Sequence, residues 1–480
     1  MRLNKKNKAI QLMETVEEGF EYILNSNLES SKFMINECLN GMESIHNYLI
    51  LEKVDLKIIE NILNKKESLL NLIENDKNIY REIHDIKVEI SEFKKYIKDE
   101  VETDIVIAFM PYKISMWDSL ESVWMAAKED ENCTCYVVPI PYCELSSERK
   151  VERVCYEGNE FPKEVGITHY DDFDLEKIQP DIIYIHNPYD DCNKLTMIYP
   201  KFFSENLRNY TNMLVYIPYY IEGSYGVDEI MPHITTKGCI NSDRIIAQSK
   251  NQKKLFVSYG YSEEKVLNLG SPKFDATLLK GKKESRKIDG KKTILLSTGI
   301  TDLLADENWI NNIEFIIDRF IMSKQCKLIW RRHPLTDITL ATMRPNVINN
   351  FMKLEQKIQD TQLISIDINK DVYDSISLSD ALISDYSSIM FQYMITGKPV
   401  LSITRKEVQE QERIYCVDYL ANYFMNEGIS IDDFIHIILN EDDYKKEERN
   451  VRFKKSITNS NGKCGEKIHK TIKKQVLNNL

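Results

Sequence analysis

The chain has 480 residues, 42% of them hydrophobic and 29% charged, which is the composition of a soluble globular protein with more than one domain. Its formal net charge of −12 argues against a nucleic-acid-binding protein. No hydrophobic run approaches the ~20 residues that a membrane-spanning helix needs, and no hydrophobic core follows the basic N-terminus as in a secretory signal.

The ten cysteines are scattered and include no C-x-x-C pair, so we expect reduced thiols and a cytoplasmic location. A metal site built from Cys133, Cys135, Cys143 and Cys155 is the weaker alternative. No redox cofactor is indicated. A divalent metal is compatible with the sequence, although no ligand cluster argues for one.

Residues 1–100 contain no proline, and their hydrophobic positions recur at helical spacing. The clearest stripe follows alternating steps of three and four residues, as in a coiled coil: Ile83, Ile86, Ile90, Phe93 and Ile97. We predict two or three long amphipathic helices here. They would form a helical bundle or an oligomerisation arm, with docking of an acceptor or a membrane as the functional alternative.

Short hydrophobic runs alternate with helical segments from about Asp104 onward. Runs such as "DIVIAFMP", "DIIYIHNPY" and "MLVYIPYY" predict buried strands, and the helices between them predict a parallel sheet. The polar segment 281–292 has the composition of a linker, and a second series of the same kind follows it. We therefore predict an α/β fold with Rossmann-like domains over 101–285 and 286–440, and an active site in the cleft between them.

The last segment, 441–480, differs in charge from the acidic chain as a whole. It carries eleven Lys and Arg against six Asp and Glu, a net charge of +5. We predict a basic helical tail, which either contacts an anionic membrane surface or is a solvated terminal helix.

The most informative stretch is "ALISDYSSIMFQYM", in which a hydrophobic run ends at Ser384 and a helical pattern follows Ser388. Such a strand–turn–helix leaves backbone N–H groups unpaired at the positive end of the helix dipole. The hydroxyl groups of Ser387 and Ser388 would add donors that suit a phosphate, with Ser384 at the strand end as a further candidate ligand. The alternative is that one serine only caps the helix.

A second motif, "WRRHP", follows another predicted strand. Pro334 favours an extended exit from that strand, so His333 can point into the cleft and donate to a phosphate oxygen, while Arg332 neutralises charge nearby. Thr298 and Gly299 end the first strand of the same half, where a glycine allows a ligand to approach closely. A loop histidine with two surface arginines is the structural alternative.

Candidate general bases lie near predicted strand ends in the first half. Glu222 occurs in "YIPYYIEG", His233 in "MPHITTKG" and His186 in "IHNPYDD". Each could take a proton from a substrate if it faces the cleft. Taken singly, each fits a structural role better than a catalytic one.

Three stretches, "RRHP", "SDYSSIMFQYMITGKPVL" and "LGSPKFD", resemble the CDP-glycerol glycerophosphotransferase family, which primes and polymerises poly(glycerol phosphate) in teichoic acid synthesis. The resemblance covers about 245–405, is weaker over 104–244 and is absent over 1–100. It implies a GT-B fold, in which two Rossmann-like halves face a cleft. It also implies transfer of glycerol phosphate from CDP-glycerol, with release of CMP, by a protein peripheral to the inner face of the membrane.

The family's functional residues can be matched to this sequence through the shared motifs. The resemblance implies that His333 binds the donor diphosphate or assists the leaving CMP, and that Ser387 and Ser388 bind phosphate. Asp385 is implied to shape the turn or to reach a substrate hydroxyl. Lys273 stands in "LGSPKFD" where the family usually has arginine, and a lysine can still neutralise a phosphate. Histidine–proline and serine–serine pairs also occur in bacterial sialyltransferases that use CMP-sugars, which supports a cytidine donor.

One family feature has no counterpart in this chain. The family has a Trp-His-Gly stretch whose histidine is taken to be the base, and the corresponding strand here reads "YIPYYIEG". Either Glu222 or His233 has taken that role, or the acceptor chemistry differs, or the enzyme is inactive.

The leading hypothesis is a membrane-associated GT-B transferase that uses CDP-glycerol or a related CDP-alditol, with a lipid-linked polyol phosphate or a polysaccharide as acceptor. The alternatives are a GT-B glycosyltransferase that uses a CMP- or UDP-sugar for surface polysaccharide, and a degenerate, non-catalytic scaffold. We expect no nucleic-acid partner, and homo-oligomers could form through the N-terminal helices.

Overall fold

The computed structural model describes residues 1–24, 26, 28–52, 54–74, 79–146, 148–193, 196–223, 233–281, 290–369, 371–403 and 417–478. A helical region comes first and comprises α1 (Leu3–Ile23), α2 (Leu28–Leu49), α3 (Lys57–Asn64), α4 (Lys66–Glu74) and α5 (Tyr80–Asp99). The predicted hydrophobic stripe of α5 is fully buried among the other helices. The predicted helical region is therefore confirmed, and burial of that stripe holds it together.

The first α/β domain contains two sheets and short helices. Its strands are β1 (Ile105–Met110), β2 (Cys133–Val137), β3 (Tyr142–Leu145), β4 (Val151–Cys155), β5 (Ile182–Ile185), β6 (Thr196–Ile198), β7 (Met213–Tyr216), β8 (Arg244–Ala247) and β9 (Val266–Asn268). Its helices are α6 (Glu121–Lys128), α7 (Leu175–Ile178), α8 (Ser204–Leu207), α9 (Lys237–Asn241), α10 (Lys250–Ser258) and α11 (Pro272–Lys280). A parallel sheet runs in the order β2-β1-β5-β7-β8-β9, and β4-β3-β6 form an antiparallel sheet. Because β1, β5 and β7 are buried throughout, their sequences are continuous hydrophobic runs.

The second α/β domain is built on one parallel sheet. Its strands are β10 (Thr293–Thr298), β11 (Lys327–Arg332), β12 (Ile364–Ile366), β13 (Ala381–Ser384), β14 (Val400–Ser402) and β15 (Tyr423–Phe424). Its helices are α12 (Ile300–Ala305), α13 (Trp309–Ser323), α14 (Thr336–Met343), α15 (Ile348–Gln359), α16 (Tyr373–Leu378), α17 (Ser388–Tyr393) and α18 (Ile431–Leu439), and α19 (Lys446–Ser456) and α20 (Cys464–Leu477) follow. The order β12-β11-β10-β13-β14-β15 is that of a Rossmann fold. The strand order reverses between β10 and β13, which is where such sheets bind ligands.

Two helices connect the domains. Helix α11 packs against α6 of the first domain and against α16 and α17 of the second. Helix α20 returns from the second domain to the first, where Ile468, Ile472 and Val476 share a hydrophobic core with Leu3 and Trp124. One face of the predicted basic tail is thus packed against the first domain, and its contact with a membrane stays a prediction.

Within the described part of the chain, no helix is both long enough and hydrophobic enough to cross a bilayer. Most of the predicted linker, 281–292, lies outside the described residues. Self-association through the N-terminal helices stays a prediction.

Candidate active site

The serine-rich turn connects β13 to α17 as the sequence predicts. Ser384 ends the strand and lies beside Ser297 of β10, and its hydroxyl oxygen is 3.2 Å from that of Ser387. Ser387 is the residue before α17, yet its side chain makes no capping hydrogen bond to the helix. The interpretation of this serine as a simple helix cap therefore lacks its defining contact, and phosphate binding by the serine hydroxyl groups stays a prediction.

Asp385 links the turn to the neighbouring strand β10 at the point where the strand order reverses. One carboxylate oxygen accepts a hydrogen bond from the backbone N–H of Gly299, and the other is buried without a partner among the described residues. Burial raises the pKa of Asp385 to about 7. A Cβ atom on Gly299 would lie 3.1 Å from this carboxylate, so the glycine makes room for Asp385.

Thr298, at the end of β10, points into the core of the second domain. Its hydroxyl accepts a hydrogen bond from the Trp330 indole at 3.2 Å, and this bond holds the Thr298 side chain there.

His333 follows β11 and has a defined tautomer. Its Nδ1 accepts a hydrogen bond from the backbone N–H of Leu335 at 3.1 Å, so in the neutral ring the proton is on Nε2. Burial lowers the pKa of His333, which favours the neutral ring. The imidazole can therefore present an Nε2–H donor to an anionic ligand.

Arg332 lies at the end of β11 but has carboxylate partners. Its guanidinium is 2.8 Å from Glu355 and 3.1 Å from Asp337, and it stacks 5.2 Å from the ring centre of Phe351. Side chains alternate along a strand, so the preceding Arg331 points to the other face, where it pairs with Asp367 at 2.6 Å. Binding a phosphate would require Arg332 to exchange these partners.

Lys273 is placed at the junction of the domains and not on the serine turn. Its ammonium group lies 2.6 Å from a carboxylate oxygen of Asp118. The hydroxyl of Tyr373, from α16 of the second domain, donates to the same oxygen. All three side chains are buried. The lysine of "LGSPKFD" therefore joins α11 to both domains.

Glu222 lies on a loop that crosses from the first domain to the serine turn. The side chain of Gln248 holds this loop, because it accepts from the N–H of Glu222 at 2.8 Å and donates to its carbonyl oxygen at 3.1 Å. A Cβ atom on the next residue, Gly223, would lie 2.8 Å from the Tyr386 hydroxyl and 2.8 Å from Phe391. Glu222 is 3% exposed, and burial raises its pKa to about 8. The residue after Glu222 thus lies beside Tyr386 of the serine turn, and the Glu222 side chain itself is buried.

The two candidate histidines of the first domain, His186 and His233, have different surroundings. His233 Nδ1 is 2.9 Å from the hydroxyl of Tyr189, its ring is 5.5 Å from that of Tyr220, and burial lowers its pKa. His186 is fully buried, where its Nε2 accepts from the N–H of Tyr112 at 3.1 Å. Burial lowers the pKa of His186 to about 4. His186 is therefore a structural residue at the end of β5, whereas His233 borders the same loop as Glu222.

The four cysteines of the alternative metal site do not form a ligand set. In the described part of the chain, the potential ligands that approach one another within 4.8 Å are Asp130, Cys133 and His469. Lys473 lies 2.7 Å from the carboxylate of Asp130, and His469 lies 2.8 Å from it. These contacts fasten α20 to the first domain.

The structure thus brings Ser384, Asp385, Ser387 and Gly299 together at the ends of β10 and β13 and separates Lys273 from them. Glu222 precedes the glycine that lies beside Tyr386, and its role as a base stays a prediction. Sequence reasoning missed the tyrosines beside Glu222, which are Tyr189, Tyr219 and Tyr220. Their signal is present in "IHNPY" and "YIPYY", where tyrosines follow the ends of two strands that pair side by side.

Comparison with known proteins gives a family and a fold. The family model described as CDP-glycerol:poly(glycerophosphate) glycerophosphotransferase matches residues 226–474. No curated protein matches the chain.

Several solved structures are similar to the chain. A Listeria monocytogenes protein described as a UDP-N-acetylglucosamine 2-epimerase aligns with a TM-score of 0.52 at 12% identity, over 78% of this chain and 96% of that chain. This similarity confirms the predicted GT-B fold. The wall teichoic acid polymerase TagF, in a variant soaked with CDPG, aligns with a TM-score of 0.48 at 14% identity, over 89% of this chain and 99% of that chain.

Proposed function

Because this chain belongs to the CDP-glycerol:poly(glycerophosphate) glycerophosphotransferase family and is a transferase, we propose that it moves glycerol phosphate, or a related alditol phosphate, from CDP-glycerol. The acceptor is a hydroxyl group of a teichoic-acid-like or capsular acceptor, and CMP is released. The enzyme needs no redox cofactor and acts as a peripheral protein at the inner face of the membrane.

The observation that carries this proposal is the contact between the two domains at the serine turn. Gly223 lies against Tyr386 and Phe391, which supports placing the neighbouring Glu222 at the boundary with the second domain, where a donor diphosphate would bind. Transfer from a nucleotide donor requires a base that takes the proton of the acceptor and groups that stabilise charge on the donor phosphates. In this proposal the two domains supply one each.

The reaction is a single displacement at phosphorus. Glu222, as the carboxylate, takes the proton of the acceptor hydroxyl, and the acceptor oxygen attacks the phosphorus that carries the glycerol. The P–O bond to CMP breaks, and its electron pair leaves on the phosphate of CMP. The Nε2–H of His333 and the hydroxyl groups of Ser387 and Ser388 donate to the oxygens on which charge accumulates.

We expect that calorimetry will show binding of CMP and CDP-glycerol, and weaker binding of UDP. His333→Ala, and the paired change Ser387→Ala with Ser388→Ala, should each weaken CDP-glycerol binding by roughly 1.5–3 kcal/mol, about 10- to 150-fold, because each removes hydrogen bonds to a charged group. His84→Ala on the exposed side of α5 and Ser44→Ala on α2 are matched controls outside the cleft.

Preference for UDP would overturn the cytidine donor and favour a sugar transferase. Absence of binding by any nucleotide would favour a scaffold. Equal affinity in the wild type and both cleft variants would show that the serine turn does not hold the donor.

A further inference from the structure

Three side chains with the chemistry of zinc ligands meet where α20 packs on the first domain. Asp130 follows α6, Cys133 begins β2, and His469 lies on α20. Their potential ligand atoms, a carboxylate oxygen, the thiol sulfur and a ring nitrogen, all lie within 4.8 Å of one another. We call these three residues the Asp–Cys–His triad. Parallel sheets bind substrates at the carboxyl ends of their strands, whereas Cys133 begins its strand, so the triad is at the other edge of the sheet from the cleft.

The backbone positions of the triad are fixed by contacts that involve no metal. The carbonyl oxygen of Asp130 accepts a hydrogen bond from the N–H of Cys133 at 2.9 Å, which holds these two residues in one turn. His469 comes 339 positions after Asp130. Its neighbours on α20, Ile468 and Ile472, are buried in the hydrophobic core of the first domain and bring the imidazole to the turn.

The imidazole of His469 is not fully used by its contacts within the protein. His469 is 3% exposed, and its Nε2 is 2.8 Å from the carboxylate of Asp130. The other ring nitrogen, Nδ1, is buried and has no partner among the described residues. An ionised carboxylate only accepts hydrogen bonds, so the neutral ring carries its proton on Nε2 and keeps a lone pair on Nδ1. Burying such a lone pair without a partner is unfavourable.

A cavity gives solvent and small ions access to the triad. Asp130 and His469 line a cavity of about 420 Å³ between α6, α11 and α20. Its wall also carries the carboxylates of Glu129 and Glu466, and one ammonium, that of Lys470. This balance of charge favours a cation, and the cavity has room for a water molecule that completes the coordination of a metal.

Lys473 holds the position of a cation beside Asp130. Its ammonium is 2.8 Å and 2.7 Å from the two carboxylate oxygens, and the lysine lies one helical turn after His469. A lysine has a flexible side chain and a strongly hydrated charge, so it can withdraw into solvent when another cation replaces it. The alternative is an ion pair and nothing more, but that interpretation uses neither the thiol of Cys133 nor the Nδ1 atom of His469.

We propose that the Asp–Cys–His triad binds one zinc ion, which fastens the last helix, α20, to the first domain. Thiolate, imidazole and carboxylate are the groups that Zn²⁺ prefers, and three of them with one water make a tetrahedral set. With bonds of about 2.0–2.3 Å, the ligand atoms of such a set are about 3.3–3.8 Å apart, so the triad would contract by no more than roughly 1.5 Å.

Binding of the ion exchanges protons and partners in a balanced way. The S–H bond of Cys133 is replaced by an S–Zn bond, and the proton goes to solvent. The ammonium of Lys473 leaves Asp130 without a change in its own charge. No step of the proposed transfer reaction passes through this site, so the inference does not depend on the proposed function.

The test measures metal binding by the full chain, purified with a chelator and kept reduced. Zinc is titrated in competition with a chromogenic chelator, and cobalt is followed by the absorption of its bond to a thiolate. We expect one zinc ion per chain with a Kd of about 1 μM or tighter. Zinc at a hundredfold excess over Kd should raise the melting temperature by about 2–5 °C.

Variants of the triad identify the ligands. Cys133→Ser and His469→Gln should each weaken zinc binding at least about 100-fold, because loss of an outer-shell partner alone costs roughly 10- to 100-fold. Cys133→Ser should also remove the cobalt–thiolate absorption. Cys135→Ser, two residues further along β2, is the matched control and should keep it. Lys473→Met removes the competing ammonium and should tighten zinc binding roughly two- to fivefold.

Absence of stoichiometric zinc binding by the wild type overturns the inference without reference to any variant. Zinc affinity that is unchanged in both Cys133→Ser and His469→Gln, with unchanged melting temperature in the absence of metal, also overturns it. The same holds if the cobalt–thiolate absorption is lost in Cys135→Ser and kept in Cys133→Ser.

Discussion

Changing Glu222 to glutamine should lower the rate of CMP release from CDP-glycerol roughly 10²- to 10⁴-fold, the range expected on removal of a general base. Glutamine keeps the shape of the side chain but cannot accept the proton of the acceptor hydroxyl. The backbone of residue 222 is held by Gln248, so the loop and its contact with Tyr386 should be retained.

The pH dependence of the wild type gives an independent readout of the same group. Burial raises the pKa of Glu222 from its ordinary value of 4.5 to about 8, so the protonated form predominates at neutral pH and the base form increases as the pH rises. The value of kcat/KM should therefore rise about tenfold per pH unit below that pKa and level off above it. If His233 were the base, its lowered pKa would give a profile that is already flat above its ordinary value of 6.5.

His233→Gln is the matched control for this experiment, because it alters the other candidate base on the same side of the cleft. We expect it to change the rate far less than Glu222→Gln does. A profile that is flat above 6.5, together with a large loss in His233→Gln and little loss in Glu222→Gln, would assign the proton transfer to the histidine.

Changing Asp118 to alanine should lower the free energy of unfolding by roughly 3–5 kcal/mol, because it leaves the buried ammonium of Lys273 without its counter-charge. It also removes the acceptor of the Tyr373 hydroxyl, and so breaks the contact that joins α11 to both domains. The measurement is urea unfolding monitored by tryptophan fluorescence, with the midpoint and slope compared at constant pH.

The control is the double variant Asp118→Ala with Lys273→Met, which removes both charges and keeps a hydrophobic side chain of similar length. It should recover a large part of the lost stability, since no unpaired charge is then buried. If the double variant is less stable than Asp118→Ala, the destabilisation does not arise from the uncompensated lysine.

The sequence predicts the structural features that are determined by residues close together along the chain. The hydrophobic runs predict both parallel sheets but not the antiparallel sheet β4-β3-β6. The "SDYSS" stretch predicts the turn between β13 and α17, because strand ends and helix starts are local features. None of these predictions requires knowledge of which distant residues meet.

Pairing between distant side chains is what the sequence does not reveal. Arg332 is followed directly by His333. No neighbouring residue in the sequence indicates that the charge of Arg332 is balanced by Glu355, 23 positions away. Lys273 and Asp118 are 155 positions apart and meet only because α11 packs between the domains. The sequence therefore predicts phosphate binding for a positive charge beside a motif, whereas the fold places a carboxylate next to that charge.

The return of α20 to the first domain affects how the polypeptide folds as it leaves the ribosome. Domains of large proteins usually fold in the order of their synthesis, each as its segment emerges. Here the core around Trp124 includes Ile468 and Val476, so it is incomplete until nearly 350 further residues have been added. During that interval the nascent first domain exposes a hydrophobic face, which makes it a substrate for chaperones, and a chain interrupted before α20 cannot complete this core.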